Sequence, residues 1–193
     1  MKSKIAIITG HPDPQSYCAA LSAAYGKGAG GAGTEVRHID LSQLDFNPNL
    51  AYGYRQRTEL EEDLLEAQET IRWADHLVFV YPTWWGSVPA VLKGFIDRVF
   101  LPGFAYRYRK DSIWWDKLLQ GRSAHLIVTL DTPSIFNRLI YRRAGHRVMK
   151  HNVLGFCGVK PVRITEITPV RGSSPEQRER WLSKVQRLGA ARA

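Results

Sequence analysis

Three stretches hold residue types whose spacing could support chemistry. In TGHPDPQSYCAAL (residues 9–21), Gly10, His11 and two prolines lead through Gln15 to Ser16, a good helix-capping residue, and on to Tyr17 and Cys18. A helix start leaves main-chain N–H groups unpaired, and such a terminus attracts anions. Ser16 adds a hydroxyl and His11 a second donor, so a phosphate would sit there. A plain capped helix with a solvated histidine is the other reading. In VFVYPTWWGSVP (78–89), an apolar run turns at Pro82 and presents Trp84 and Trp85 side by side before Gly86. Adjacent strand residues face opposite ways, so both indoles cannot be core. The N–H groups of Thr83 to Gly86 suit the edge of a planar heterocycle, with an indole over or beneath its face and Gly86 permitting close approach. Packing against neighbours, or at a protein interface, is the alternative. The third stretch, TLDTPSIFNR (129–138), contains Thr129, Leu130, Asp131 and Thr132 and would close the other side of the site, with Asp131 read as the cap of the next helix.

Other chemistries find little support. No G-x-S-x-G nucleophile elbow is present, and His146 and His151 stand five apart, the wrong spacing for a zinc pair on one helical face. Cys18 lies early in a helix, where a thiolate is favoured; a small packing residue is the competing role. Gly28, Gly30 and Gly33 spell G-x-G-x-x-G, but with a helix before and a strand after. That reverses the order the dinucleotide fingerprint needs, so GKGAGGAG (26–33) reads as a flexible turn.

The elements that would position these loops alternate. Strands are expected at 4–9, 34–41, 76–81, 124–130 and 162–167, and helices at 16–25, 59–73, 89–100, 135–152 and 175–188, with a long loop at 44–54. Strand–helix alternation repeated five times implies an α/β, flavodoxin-like fold: a five-stranded parallel sheet of order 2-1-3-4-5 with helices on both faces. The 193 residues, 44% hydrophobic, suit one domain over 1–193. No apolar run is long enough to span a bilayer, the N-terminal residues lack the pattern of a signal peptide, and two cysteines make no disulfide framework. A cytoplasmic protein, not embedded in membrane, is expected. The net charge of +9 comes without a recognised nucleic-acid module, so an anionic cofactor is favoured over nucleic acid.

Four segments together carry a resemblance. HPDPQS (11–16) fits H-x-x-P-x-S; YPTWWGSVPAVLKGFIDRVF (81–100) fits P-x-x-W-[WF]-x-x-P-A-x-L-K-G-x-x-D-R-V; PGFAYRY (102–108) and GFCGVKP (155–161) follow in order. From about residue 4 to residue 188 the chain resembles the flavodoxin-like NAD(P)H:quinone reductases, a family that also contains ancillary subunits of potassium-efflux systems. The resemblance implies a homodimer with tightly bound FAD or FMN, reduced by NAD(P)H and reoxidised by a quinone-like acceptor in a two-electron ping-pong cycle. It places His11, Ser16, Tyr17 and Cys18 on the flavin-phosphate loop and Pro82, Thr83, Trp84, Trp85 and Gly86 on the isoalloxazine loop. Tyr106 and Tyr108 fall on the pair lining the neighbouring subunit's site. The loop after strand 4 departs from the family's T-T-G-G, reading Thr129, Leu130, Asp131, Thr132. For the family's Tyr and His at that edge, Tyr141 and His146 are the nearby candidates. The arginines at 138, 142, 143 and 147 suggest a modest preference for NADPH. A flavin-sensing subunit of a membrane transporter and a flavodoxin-like electron carrier are the rival functions; such carriers are usually acidic, and this chain is basic.

Overall fold

The computed structural model describes residues 3–191. Five strands, β1 (Lys4–Thr9), β2 (Glu35–Asp40), β3 (His76–Pro82), β6 (Ser123–Thr129) and β7 (Val162–Ile167), form one parallel sheet. Its order is β2-β1-β3-β6-β7. Numbered among themselves, these strands have the expected 2-1-3-4-5 order. β3 shows why a central strand reads as a continuous apolar run. Leu77, Phe79 and Tyr81 enter the core beneath α2 (Glu62–Trp73) and α3 (Ala90–Val99), while Val78 and Val80 enter the core beneath α1 (Tyr17–Gly31) and α6 (Pro175–Ala190).

Two sequence expectations change, and one hairpin is new. The glycine run is not a turn: Gly26 to Gly31 continue α1. A Cβ on Gly28 would collide with the Gln186 carbonyl of α6, and one on Gly189 with the Tyr25 carbonyl of α1. Glycine is kept inside both helices, despite its helix cost, because the two backbones touch. The helix expected at 135–152 is broken into α4 (Ser134–Leu139), α5 (Ala144–Arg147) and a π-helical segment, Val148–Gly155. Arg142 and Arg143, at φ of 49° and 52°, make the break; such angles are costly for side-chain-bearing residues and need tertiary support. Finally, PGFAYRY leads into an antiparallel hairpin, β4 (Tyr106–Tyr108) with β5 (Trp115–Lys117), outside the main sheet. Trp115 fastens it, stacking on Phe156 at 4.4 Å and donating its indole N–H to the Phe156 carbonyl at 2.9 Å.

The long segment before α2 is pinned from α3. Arg98, 1% exposed, donates to the carbonyls of Asn47 (2.5 Å) and Glu59 (2.8 Å) and pairs with Glu61 at 2.7 Å. One buried guanidinium thus orders a chain segment with no ladder of its own.

Candidate functional site

Register brings the loops together. Thr9 is level with Asp40 and Val80, and Thr129 with Pro82 and Ile167, so the strands end along one rim. Ligands of such sheets bind beyond this rim, where the strand order reverses between β1 and β3.

The loop after β1 is tied internally. Gly10 donates to the Val80 carbonyl at 2.8 Å, and its site has no room for a side chain: a Cβ would lie 2.6 Å from Leu92. The Asp13 N–H donates to His11 Nδ1 at 3.0 Å, so the neutral ring carries its proton on Nε2. Gln15 donates to Asp13 Oδ1 at 2.9 Å. Ser16 caps α1 as expected, accepting from the Ala19 N–H at 3.2 Å. The N–H groups of Tyr17 and Cys18 then have no main-chain or capping partner among the described residues. Their side chains turn elsewhere. The Tyr17 hydroxyl donates to the Arg178 carbonyl on α6 at 2.8 Å, and burial pushes its pKa up to about 12. The Cys18 thiol is buried beside Thr129 Oγ1 at 3.5 Å, and burial raises its pKa to about 11. Cys18 is therefore a packing thiol, and these two residues offer the rim their main-chain donors.

The loop after β3 is a tight turn. Trp84 and Ser87 exchange main-chain hydrogen bonds, both 2.9 Å, around Trp85 and Gly86, whose φ values are 50° and 75°. Positive φ at both central positions defines a type I′-like turn, and Trp85 is an unusual occupant. Thr83 donates to the Thr129 carbonyl at 2.7 Å. Two of the four N–H groups that the sequence offered are thus consumed, leaving those of Trp85 and Gly86. The paired indoles also separate: Trp84 meets His11 edge-to-face at 5.4 Å, linking the first two loops, whereas Trp85 is fully solvent-exposed.

The loop after β6 corrects another expectation. Asp131 does not cap α4, whose N-cap position is Pro133 and which has no side-chain cap. Its Oδ1 accepts from the Arg171 N–H at 2.8 Å, and the Thr132 carbonyl accepts from the Thr168 hydroxyl at 2.7 Å. Leu130, buried, donates to the Ile167 carbonyl at 3.1 Å. The loops after β6 and β7 are laced together.

A cluster not foreseen in the sequence stands beside them. Glu166 of β7 accepts from Ser134 (2.5 Å), Asn137 (3.1 Å), Arg143 (3.0 Å) and His146 (3.0 Å). Burial raises the Glu166 pKa, but the hydrogen bonds from Ser134 and His146 and the charge of Arg143 outweigh it, holding the carboxyl below its usual range. In His146, burial lowers the pKa and outweighs the neighbouring carboxylate, so the ring is neutral at neutral pH and donates an uncharged N–H. The cluster supports the strained Arg143 backbone. Beyond it, Gly145 abuts the tryptophan turn: a Cβ there would lie 2.5 Å from the Gly86 carbonyl. No local pattern reveals this, because Glu166 lies 20 residues from His146 in sequence. Tyr141, the other candidate for this edge, is exposed.

Tyr106 and Tyr108 lie elsewhere. Their rings meet edge-on at 5.3 Å in a cavity of about 590 Å³ lined also by Tyr54, Phe100, Asn152 and Phe156, and by no residue of the three loops. Tyr106 is buried, and burial first of all pushes its hydroxyl pKa up to about 12.

A five-stranded parallel sheet of this order, covered by helices on both faces, defines the flavodoxin-like class of α/β proteins. The family model for the flavodoxin-like fold matches residues 3–189, and the chain belongs to that family. It is similar to a ribosyldihydronicotinamide dehydrogenase-like protein of Penicillium crustosum, 33% identical over 152 residues, 66% of this chain and 57% of that protein. The match thus spans little more than half of that relative's length. The ribosyldihydronicotinamide dehydrogenase [quinone] of Rattus norvegicus is 26% identical over 214 residues, covering 96% of this chain and 90% of that protein. Among solved structures, the NAD(P)H:quinone oxidoreductase from Methanothermobacter marburgensis superposes with a TM-score of 0.83 at 26% identity, over 100% of both chains.

Proposed function

We propose that this chain is a flavin-dependent NAD(P)H oxidoreductase that reduces quinones or similar flat aromatic acceptors by two electrons, working as a homodimer. The observation that carries this reading is the pair of uncommitted donor sets on one rim: the N–H groups of Tyr17 and Cys18 at the start of α1, and those of Trp85 and Gly86 in the tryptophan turn. The first set, with the Ser16 cap and His11, suits a phosphate. The second suits the polar edge of a planar ring, and the family and its relatives named for quinone reduction support the redox reading.

Bound there, FAD or FMN would supply two-electron chemistry, accepting a hydride from NAD(P)H and passing it to the acceptor in a ping-pong cycle. The protein's part is placement. The turn from Trp84 to Ser87 is closed on itself and braced by Gly145, so its two free N–H groups are held in position before a ligand arrives. Trp85 offers an open aromatic surface on which flat substrates would stack in succession. In the dimer, the hairpin of one protomer would bring Tyr106 and Tyr108 to its partner's site. Tyr106, with its raised pKa, would stay protonated and act as a hydrogen-bond donor. Arg143 is committed to Glu166, so a preference for NADPH would rest on Arg138, Arg142 or Arg147.

The test is direct. Purified protein is expected to be yellow and to oxidise NAD(P)H with a quinone as acceptor. A colourless preparation that remains inert after addition of either flavin would refute the reading. Mass spectrometry of the cofactor released by heating decides between FAD and FMN.

A further inference from the structure

The segment between β2 and α2 does more than connect them. Its stem is closed by one ion pair: Arg98 holds the carbonyls of Asn47 and Glu59, and its partner carboxylate, Glu61, accepts from the Asn47 N–H at 3.0 Å. Pro48 lies against α3, where a side chain at Gly94 would strike it. Residues 48–58 therefore leave and return at one point, as in a compact surface loop. Near the tip, Gly53, at a φ of 55°, donates to the Leu50 carbonyl at 2.9 Å. The residue after this turn, Tyr54, lines the cavity that holds Tyr106 and Tyr108.

Tyr106 is buried, and the rings of Tyr108 and Phe156 meet it edge-on at 5.3 and 5.0 Å, so its hydroxyl has a fixed direction. Burial comes first among the causes of its raised pKa, and Tyr54 follows, by charge repulsion and by a side-chain hydrogen bond. A hydrogen bond that raises a tyrosine's pKa is one that the tyrosine donates. The Tyr106 proton is thus committed to the Tyr54 oxygen, and the Tyr54 proton is the one left to point elsewhere. We propose that Tyr54 is the terminal donor of a two-hydroxyl chain that binds a carbonyl oxygen of the acceptor, with Tyr106 as the residue that positions it. Donors linked in a chain strengthen one another, and a single directed O–H in an aromatic wall selects flat acceptors that carry a ring oxygen. The inference rests on the redox reading above, in which the hairpin of one protomer reaches its partner's site, and it adds Tyr54 to what that protomer contributes.

The test uses the full-length, flavin-loaded protein with menadione as acceptor at saturating NADPH. Tyr54→Phe should raise the menadione KM about fivefold and change kcat less than about twofold. Tyr106→Phe should act in the same direction, and the double variant should lose no more than Tyr54→Phe alone, because both substitutions break one chain. A second readout needs no flavin: in protein labelled at the tyrosine Cζ, the Tyr106 resonance, assigned by its loss in Tyr106→Phe, should move in Tyr54→Phe. An unchanged menadione KM in a yellow, active Tyr54→Phe protein, additive losses in the double variant, or an unmoved Tyr106 resonance would each overturn the proposal and leave the redox reading standing. A colourless and inert unaltered protein would instead remove the redox reading, and this proposal with it.

Discussion

The α1–α6 side of the sheet and the carboxyl rim handle main-chain groups in opposite ways. Between α1 and α6, Gly28 and Gly189 let two backbones touch, and a β-carbon at either would strike a carbonyl oxygen of the opposite helix. The contact is closed and tolerates nothing larger. At the rim, Thr83 and Trp84 donate within the protein, while Trp85, at a strained positive φ, and Gly86 keep their donors free. Close packing leaves no room on one side, and rigidity with free donors prepares the other to bind. Supporting such a turn takes a second layer of contacts, here Gly145 and the cluster around Glu166.

The largest effect should come from the closed side. Gly189→Leu is expected to cost about 3 kcal/mol or more, because the helices must separate along their length. Denaturant melts check this, and a change below about 1 kcal/mol would mean that the helices yield easily.

Next comes the rim's support. Glu166→Gln removes the charge that holds Arg143 and His146 and should cost about 2 kcal/mol at neutral pH. The pH dependence follows from both depressed pKa values. Each group releases its proton more readily folded than unfolded, so the unfolded chain binds more protons in the affected range. Stability is therefore complete above the ordinary histidine value near 6.5 and declines as pH falls, first through His146 and then through the carboxylate. The variant should lose the carboxylate's share of that decline; an unchanged acid profile would assign it to other groups.

The smallest effect on stability, and the most specific, is expected of Gly145→Ala. The added methyl meets the Gly86 carbonyl at 2.5 Å and should shift the tryptophan turn, with a loss of about 1 kcal/mol in stability. Flavin affinity, measured by fluorescence titration, should fall about tenfold as the free N–H groups move. Loss of stability with affinity intact would make Gly145 a packing residue only.

Much of this was legible in the chain itself. The apolar runs at β1, β3 and β6 are continuous because both faces of the sheet are covered. That property is written locally, and so are the alternation of elements and the Ser16 cap. Asp131 was not legible in the same way. An aspartate ahead of a helix reads as a cap, but the Arg171 N–H, 40 residues away, is the donor it finds. Nor was the break at Arg142 and Arg143, where a helical pattern is overridden by contacts to β7.

By itself the sequence determined the order of strands and helices, and hence which loops share a rim, since side-chain period and capping act over a few neighbouring residues. Only the tertiary structure decided which donors remain free there, which indole is exposed, and why glycines sit inside α1. Those outcomes depend on partners that the sheet brings together from distant parts of the chain, and no local pattern encodes the distance between them.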